Sequence, residues 1–372
     1  MASIPPSDQG HHQLELHGAH LGRLLNRGDA RGVESWFQHP FALVKTVRVL
    51  IGEKGLFMAM ACLFTMLVLA NVWHQWNRPE ATHQKRIAVL LPGSVEFFSI
   101  ERAAMRETAK AYALDLLFFN AGWDSYQQIH QLEKVLLMSG IEAIALCAVN
   151  NEALMAASTL MDNRNLPLVT FTNGIGHDPH GLVNGVQAHV GRDEFKAGQM
   201  LGMSIEQLAL PHPTRILLIQ GSPGTPPQRF RDMGFRTITA NHPQWTIVKD
   251  VLIPAWDRAD VEREVQQALD MKLDFNVIAT QWAGAATAAA HTLHNNHVTN
   301  VKIVSLEYTR ELQKLLIAGT AQSTSNFSVA EEGRQTIVTL AKILNKEAVP
   351  KFVEIPQVLL SADDARSVTP EW

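Results

Sequence analysis

Two adjacent aromatic residues, Phe97 and Phe98, stand just beyond the point where a buried strand is predicted to end. The apolar run Ile87 to Leu91 leads into a turn of proline, glycine and serine, and the aromatic pair follows that turn. This order suits a strand that ends at a ligand cleft. Aromatic faces in a cleft stack on apolar C–H surfaces or on cationic methylammonium groups. The spacing therefore predicts noncovalent ligand binding here.

Motifs for covalent or metal-dependent catalysis are missing from the sequence. There is no G-x-S-x-G nucleophile elbow, no H-E-x-x-H metal helix and no G-x-x-x-x-G-K-[ST] phosphate loop. Gly221 to Gly224 resembles a phosphate turn superficially, but the lysine and the following hydroxyl of such a loop are absent. We predict a plain strand-to-helix connection there, and a chain that is not an enzyme and uses no cofactor.

Two groups of histidines could suggest metal binding. The groups are His11, His12, His17 and His20 near Asp8 and Glu15, and His177 and His180 around Asp178. A metal site needs ligands that a rigid element holds in coordination geometry. The first group lies in a segment without helical periodicity, and the second lies in a predicted surface connection with no further ligand. No metal site is predicted at either place.

Composition limits the classes of partner. A chain of 372 residues exceeds one average domain and supports two lobes with separate cores. The net charge is -4 with 18% charged residues, and no run of lysine and arginine could follow a phosphate backbone, so nucleic acid is not a predicted partner. The two cysteines, Cys62 and Cys147, lie in separate apolar segments and are not expected to form a disulfide.

A hydrophobic run over residues 55–75 contains no Asp, Glu, Lys or Arg. Its length matches the roughly 20 residues needed to span a bilayer, so one transmembrane helix is predicted. An uncleaved signal anchor is favoured, and a signal peptide cleaved near Val68 to Ala70 is the alternative. Residues 1–54 are polar and rich in histidine and glycine, which predicts a weakly ordered cytoplasmic tail. Residues 76–84 are interpreted as a linker.

Beyond residue 84, strand-like and helix-like segments alternate with short breaks, which predicts an α/β fold of parallel sheets covered by helices. The expected strands lie at 87–91, 114–119, 141–148 and 166–171 in a first series, and at 215–220, 246–253, 275–280 and 301–306 in a second. Two series of this kind predict two doubly wound lobes.

Several segments also occur in a familiar order. They are KRIAVLLPGSVEFF at 85–98, GIEAIALCAVNNEAL at 140–154, NLPLVTFTN at 165–173, GTPPQRFRDMGF at 224–235, PAWDR at 254–258 and IVSLEYT at 303–309. On these landmarks the chain resembles the type I periplasmic binding proteins, the ribose-binding and LacI-like group, from Lys85 to Ile355. The resemblance implies two Rossmann-like lobes joined by a three-crossover hinge, with ligand held between them.

The resemblance also implies where the lobes divide. Crossovers are expected near Gly191-Arg192, Leu306 to Thr309 and Asn326 to Ser328. The first lobe would comprise 85–191 plus 327–350, and the second lobe 192–326, with 351–372 as a C-terminal tail. Since exported members of this group work outside the cytoplasm, the expected location is the bacterial inner membrane, single-pass, with the binding domain in the periplasm.

Family ligand positions map onto this sequence one at a time. Phe97 and Phe98 match the aromatic pair that sandwiches a sugar ring, Trp256 matches the aromatic of the opposing lobe, and Arg231 with its neighbour Arg229 matches the cleft arginine. The sequence departs from the family elsewhere: Thr172-Asn173 replaces an Asp-Arg pair, and Gln281-Trp282 replaces Asn-Asp. Glu307 and Asn326 replace an Asp and a Gln. The implied ligand-binding set is Phe97, Phe98, Asn173, Arg229, Arg231, Trp256, Gln281, Trp282, Glu307 and Asn326.

These departures predict a pocket that is less ionic and more aromatic than that of a simple ribose binder. The implied function is a periplasmic solute-binding protein that captures a small polar ligand, such as a sugar, and presents the closed form to a membrane partner. That partner would be a sensor kinase or an ABC permease. The alternative is a cleaved, diffusible substrate-binding subunit of an ABC sugar importer. A third class, an enzyme built on the same fold, is disfavoured by the missing motifs.

Overall fold

The computed structural model describes residues 58, 60–74, 84–155, 159, 165–210 and 213–372. The chain divides into two compact units, Met1–Thr82 and His83–Trp372. In the first unit residues 60–74 are helical, and each of them is exposed. Among the residues that the structure describes, none of the helices combines the length and the apolar character needed to cross a membrane.

Several predictions for the amino-terminal part fall outside that description. The predicted tail over residues 1–54 lies wholly outside the described residues, as does most of the predicted linker over 76–84. The predicted membrane segment over 55–75 is described only at residue 58 and over 60–74.

Strands and helices alternate along the second unit. The strands are β1 Lys85–Leu91, β2 Leu114–Asn120, β3 Ile141–Leu146, β4 Leu168–Phe171, β5 Ala188–Gly191, β6 Thr214–Gln220, β7 Trp245–Leu252, β8 Val277–Thr280, β9 Lys302–Val304, β10 Ser323–Phe327, β11 Phe352–Glu354 and β12 Gln357–Ser361. The α-helices are α1 Glu96–Ala111, α2 Ser125–Leu137, α3 Glu194–Gln207, α4 Pro226–Thr239, α5 Arg258–Asp270, α6 Ala283–Asn295, α7 Arg310–Ile317 and α8 Val329–Leu344.

Short polar side chains set where several helices begin. The Asp124 carboxylate accepts a hydrogen bond from the backbone N–H of Tyr126 at 2.8 Å, before α2. The Ser328 hydroxyl accepts one from the Glu331 N–H at 3.0 Å, before α8. Such caps satisfy backbone donors that have no partner inside the first helical turn. The sequence therefore fixes these helix starts locally.

The strands form two six-stranded sheets. The first sheet has the order β11-β5-β4-β3-β1-β2, and the second has the order β12-β10-β9-β8-β6-β7. Neighbouring strands run parallel, except that β12 pairs antiparallel with β10. Each sheet, with the helices packed on it, defines one lobe. The structure is thus an α/β two-lobe fold with largely parallel sheets, as the sequence predicted.

Both faces of the first sheet are buried. Along β1, Ile87 and Val89 belong to one apolar cluster, which includes Phe98 of α1. The intervening Ala88 and Leu90 belong to another cluster, on the face that α2 covers. Alternate strand residues point to opposite faces, so a run that is apolar throughout indicates helices on both sides. This doubly wound arrangement leaves the strand ends free to carry a site.

The chain passes between the two sheets three times. The first passage follows Gly191 at the end of β5, and the second follows Phe327 at the end of β10. The third links β11 to β12 through residues 355 and 356. The expected crossover at Leu306 to Thr309 is wrong, because Ile303 before it and Leu312 after it pack in the same second-lobe core.

The predicted C-terminal tail over residues 351–372 also needs correction. Residues of this segment form β11, which pairs with β5 in the first sheet, and β12, which pairs with β10 in the second. The two strands have only three and five residues, so no sustained alternation of apolar and polar residues marked them. The segment therefore supplies one edge strand to each lobe.

Candidate ligand-binding site

A cavity of about 410 Å³ lies between the two lobes. Its volume is within the range of about 300–1,000 Å³ typical of small-molecule sites. Several lining residues follow directly on strands: Thr172 follows β4, Trp282 lies just beyond β8, and Glu307 lies just beyond β9. In open parallel sheets ligands bind outside the carboxyl ends of the strands, so the fold places the cavity where a ligand is expected.

Aromatic side chains of both lobes line the cavity. They are Phe97, Phe98, Trp123, Trp256, Trp282 and Trp372. On the first lobe the rings of Phe97 and Phe98 meet edge-on, with centroids 5.2 Å apart. On the second lobe Trp256 and Trp282 meet edge-on at 5.1 Å. Each lobe therefore presents a fixed aromatic pair, and such surfaces suit the C–H faces of a ring-shaped ligand.

A strained turn positions Trp256. The residue closes the short 3-10 helix Pro254–Trp256, and both Ala255 and Trp256 have positive φ, at 51° and 58°. That region costs non-glycine residues free energy and recurs at ligand sites. The indole lies against Gly221, where an added Cβ would be only 1.9 Å from its Cη2. Glycine at this position is what allows the ring to occupy the cavity wall.

Two arginines and two glutamates form a buried network beside the aromatic residues. Arg231 donates to both carboxylate oxygens of Glu194, with Nε–Oε2 at 2.7 Å and Nη2–Oε1 at 3.1 Å. Arg192, on the first interlobe passage, donates from Nε to Glu194 Oε1 at 2.9 Å and from Nη2 to Glu307 Oε1 at 3.0 Å. Its guanidinium carbon also lies 3.9 Å from the ring centre of Phe327. The network thus pairs two basic side chains with two acidic ones.

Burial raises the pKa values of these two glutamates toward neutral pH. Desolvation raises the pKa of Glu194 to about 7, although the nearby Arg192 acts in the opposite direction. Desolvation likewise raises the pKa of Glu307 to about 7, again against the effect of Arg192. Burial therefore opposes the ionisation of these two acids, while the ion pairs with the arginines favour it.

A second pair of acids lies buried in the first lobe, next to the same cavity. Glu101 of α1 accepts a hydrogen bond from the Thr172 hydroxyl at 2.9 Å through Oε1. Its Oε2 and both oxygens of Glu332 on α8 have no hydrogen-bond partner among the described residues. Desolvation raises the pKa of Glu332 to about 8, and desolvation together with Glu332 raises that of Glu101 well above its ordinary value. Burial therefore favours the protonated form of both carboxyls, and Glu332 keeps its proton at neutral pH.

The structure brings together seven of the ten residues that the sequence assigned to the ligand. Those that line the cavity are Phe97, Phe98, Asn173, Arg231, Trp256, Trp282 and Glu307. Arg231 is only 2% exposed, and each of its three nitrogens donates to an acceptor within the protein, namely Glu194, Glu307 or the Gln281 carbonyl. Its expected role as a free donor to ligand hydroxyls therefore has to be replaced by a role in holding the network.

Three predicted residues do not line the cavity. Arg229 is two positions from Arg231 on α4, so it faces away, and its Nη1 lies 3.0 Å from His177 Nδ1. The Gln281 side chain accepts from the Gly221 N–H at 3.0 Å and so holds a loop. Asn326 sits within β10, paired with β12. The sequence pattern identified elements that border the cavity. Whether a side chain on them reaches the cavity depends on the direction in which it points.

Other lining residues were not expected from the sequence. Trp123 follows Gly122 at the end of β2, has a positive φ of 65°, and contacts Phe98 at a centroid distance of 6.2 Å. Arg192 was noted only as part of a crossover, and Trp372 lay in the supposed tail. The pair Gly122-Trp123 at a strand end was an available signal, since it resembles the turn that leads to Phe97. Nothing local marked Trp372.

Among the described residues, no group of three or more His, Cys, Asp and Glu side chains is arranged to hold a metal ion. The second histidine group is instead engaged locally, with His180 Nε2 at 3.2 Å from Asp193 Oδ2. His189 is buried, and desolvation lowers its pKa to about 4.

Residues 87–348 match the family model of the periplasmic binding protein domain, and the chain belongs to that family. The match confirms the resemblance seen in the sequence. The family consists of solute-binding proteins and not of enzymes, which confirms the prediction that the chain is not an enzyme. No curated protein sequence matches the chain.

Solved structures share the fold. An ABC transporter solute-binding protein from Mycobacterium smegmatis with bound glycerol has a TM-score of 0.70 and 22% identity, covering 76% of this chain and 96% of that chain. The myo-inositol-binding protein of Caulobacter, bound to myo-inositol, has a TM-score of 0.70 and 18% identity, with 79% and 98% covered. The fructose-binding periplasmic domain of a hybrid two-component system has a TM-score of 0.68 and 16% identity, with 76% and 92% covered.

Proposed function

We propose that this chain is a periplasmic solute-binding protein that captures a small, uncharged, sugar-like molecule between its two lobes. The observation that carries the proposal is the cavity itself, which has an aromatic pair on each lobe. Aromatic faces bind the C–H surface of a sugar ring, and ligand contact from both lobes favours a closed form. Relatives with this fold bind glycerol, myo-inositol and fructose, which supports the same class of ligand.

The charge of the site supports an uncharged ligand. Arg192 and Arg231 are already paired with Glu194 and Glu307, which reduces the positive charge that they offer to an anion. Protonated carboxyls in the first lobe add no negative charge that would attract a cation. A buried ion without a partner would cost several kcal/mol, so a balanced site selects against charged solutes.

We assign ligand contact to the aromatic residues Phe97, Phe98, Trp256 and Trp282 and to the polar residues Asn173 and Glu307. Each of these residues lines the cavity. Asn173 already donates from Nδ2 to the Ala148 carbonyl at 2.8 Å, which leaves its amide oxygen as an acceptor for a ligand hydroxyl. The polar contacts would orient a ligand that the aromatic surfaces hold.

The closed form would be presented to a membrane partner. An ABC permease is one candidate, supported by the ABC solute-binding relatives, and a sensor kinase is the other, supported by the periplasmic domain of the two-component system. The uncharged run over residues 55–75 supports a single-pass anchor that keeps the binding domain beside its partner. Mass measurement of the mature amino terminus distinguishes the anchored form from the cleaved, diffusible one.

Calorimetric titration of the full chain in detergent tests the ligand class. The probes are myo-inositol, D-tagatose, L-arabinose and D-fructose, with D-glucuronate as an anionic comparison and choline as a cationic one. We expect saturable binding of at least one neutral compound and none of the charged pair. Binding of choline alone would instead identify the aromatic residues as a cation site, and no binding of any neutral compound would count against the proposal.

A substitution at Trp256 tests the location of that binding. Trp256→Ala should weaken the affinity for the bound neutral compound about thirtyfold, which corresponds to about 2 kcal/mol for an aromatic residue at a desolvated centre. Trp245→Ala is the matched control, because Trp245 stacks on His242 at 4.1 Å and does not line the cavity. Equal affinities in the two variants would show that the ligand binds elsewhere.

A further inference from the structure

Residues 365–372 connect the second lobe back to the first, beside the cavity. At the second-lobe end the Tyr308 hydroxyl donates to the carbonyls of Ala365, at 3.2 Å, and Val368, at 3.0 Å. The Gln313 amide donates to the same two carbonyls at 2.9 Å and 3.1 Å. Tyr308 is 1% exposed, and Ala365 belongs to the second-lobe core. This end of the segment is therefore fixed.

The other end of the segment rests on the first lobe. The carboxylate of Glu371 accepts from the Ala330 N–H at 2.9 Å and from the Ser328 hydroxyl, in the first turn of α8. That helix packs in the first-lobe core through Val329 and Ile337. A carboxylate at this position satisfies a backbone donor and interacts favourably with the helix dipole. Glu371 thus holds the segment against the first lobe.

Trp372, the next residue, contacts both lobes and lines the cavity. Its indole meets Phe97 of the first lobe edge-on, with centroids 6.0 Å apart and an interplanar angle of 82°. Its carbonyl accepts from the Arg310 N–H of the second lobe at 2.6 Å. Backbone and side chain are therefore held from opposite sides, which fixes the indole as part of the cavity wall.

We propose that Trp372 is a ligand-contacting, specificity-determining residue of this site, and that Glu371 is the residue that positions it. This assignment rests on the proposed binding of a neutral, sugar-like solute. Trp372 extends the aromatic wall that Phe97 and Phe98 begin, so the first-lobe side offers continuous aromatic surface to a ring-shaped ligand. Such a wall favours a cyclic sugar or cyclitol, which has an apolar C–H face, over an open-chain triol that has none.

Titration of Trp372 variants with the six-carbon cyclitol myo-inositol, and with any panel sugar that binds the unaltered chain, tests this assignment. Trp372→Ala should weaken binding about tenfold or more, and Trp372→Phe, which keeps a ring, should weaken it less. Glycerol should be bound more weakly than the cyclic compound, and the ratio of the two affinities should shrink in Trp372→Ala. The control is Trp245→Ala, which should leave both affinities unchanged.

The role of Glu371 is tested by comparing its substitution in the presence and in the absence of Trp372. Glu371→Ala should weaken binding severalfold in the unaltered background and should have no further effect in the Trp372→Ala background, because a positioning residue acts through the residue it positions. A merely structural role would give the same loss in both backgrounds. Glu371→Asp should restore part of the affinity, since a carboxylate is kept.

The outcomes separate this assignment from the proposed function. If no panel compound binds the unaltered chain, the proposed function fails, and the assignment fails with it. If a cyclic compound binds the unaltered chain and Trp372→Ala equally, the assignment alone is overturned. Should Trp372→Ala fail to fold, Trp372→Leu keeps apolar volume without a ring, and an unchanged affinity in that variant would overturn the assignment as well.

Discussion

Two pairs of buried glutamates, one in each lobe, lie in or near the wall of the same cavity, and their charges are reduced by different means. In the second lobe Glu194 and Glu307 contact arginine guanidinium groups at 2.7–3.4 Å. In the first lobe Glu101 and Glu332 have no arginine or lysine within ion-pair distance among the described residues. There the Thr172 hydroxyl donates to Glu101, and the Glu332 carboxyl has no hydrogen-bond partner in the part of the chain that the structure describes. The second-lobe pair is thus balanced by the positive charge of the arginines, and the first-lobe pair by bound protons.

The difference has consequences for geometry and for pH. Paired charges fix the positions of four side chains, because each guanidinium must meet its carboxylates at hydrogen-bond distance. Protonated carboxyls impose less geometry, but their neutrality depends on pH. We therefore expect the stability that the second-lobe network provides to depend mainly on its side chains, and the stability that the first-lobe pair provides to depend mainly on pH.

The largest expected effect is from Arg231→Met. The substitution removes the bidentate partner of Glu194 and leaves that carboxylate buried with Arg192 alone, so we expect the free energy of unfolding to fall by about 3 kcal/mol. Denaturant unfolding measures the change. Arg236→Met on the same helix is the control, because Arg236 pairs with Asp232 and Asp250 while 46% exposed and should cost about 1 kcal/mol or less. Equal losses in both variants would contradict a special role for the buried network.

The second expected effect concerns Glu332 and pH. Its pKa in the folded chain, about 8, lies above the ordinary value of 4.5, so the folded chain keeps this proton where the unfolded chain releases it. The stability that the proton contributes is complete below about pH 4.5 and is lost as the pH rises toward 8. One proton corresponds to a slope of about 1.4 kcal/mol per pH unit. Glu332→Gln should remove that slope and make the protein more stable than the parent at pH 8.

The control for this experiment is the neighbouring residue on the same helix. Glu331 is partly exposed, pairs with Arg334 at 2.8 Å, and has a pKa below its ordinary value. Glu331→Gln should therefore not reduce the loss of stability between pH 5.5 and pH 8. The unfolding free energy at four pH values in this range gives the slope. Parallel profiles for the parent and Glu332→Gln would show that Glu332 carries no shifted proton.

The smallest expected effect is from Thr172→Val. It removes the hydroxyl that donates to Glu101, so we expect a loss of about 1 kcal/mol, growing as the pH rises because the hydroxyl favours the ionised carboxylate. The control is Thr108→Val on α1, because the Thr108 hydroxyl donates to the Ala104 carbonyl one turn earlier and not to Glu101. A loss in Thr172→Val that is the same at pH 5.5 and pH 8 would mean that Glu101 does not respond to this hydrogen bond.

The sequence was sufficient for the elements that carry long apolar runs. Strands β1, β2 and β6 were expected from such runs and lie within a residue or two of the predicted bounds. Strand β10 was not expected, because its sequence is Ser-Thr-Ser-Asn-Phe. Ser323, Thr324 and Ser325 are buried, and Thr324 finds its partner only in the folded protein, where its hydroxyl donates to the Glu307 carbonyl. Periodicity cannot reveal a strand whose polar side chains are satisfied by tertiary contacts.

The candidate site shows the same limit. Phe98 and Trp256 could be placed because each follows a recognisable turn. The partners of Arg231 could not be placed, since Glu194 and Glu307 lie 37 and 76 residues away in sequence and meet it only when α3, α4 and the end of β9 pack together. Side-chain direction was also beyond the sequence, so Arg229 was assigned to the ligand together with Arg231.

The short strands β11 and β12 affect how the chain acquires its structure. Each is the outermost strand at one side of its sheet, beside β5 in the first lobe and β10 in the second. Until residues 352–361 have been synthesised, β5 and β10 both present unpaired backbone donors and acceptors, which can join with strands of other chains. Ten consecutive residues, 352–361, thus supply an outermost strand to both sheets. Any factor that delays the emergence of this stretch leaves both sheets open to aggregation at once.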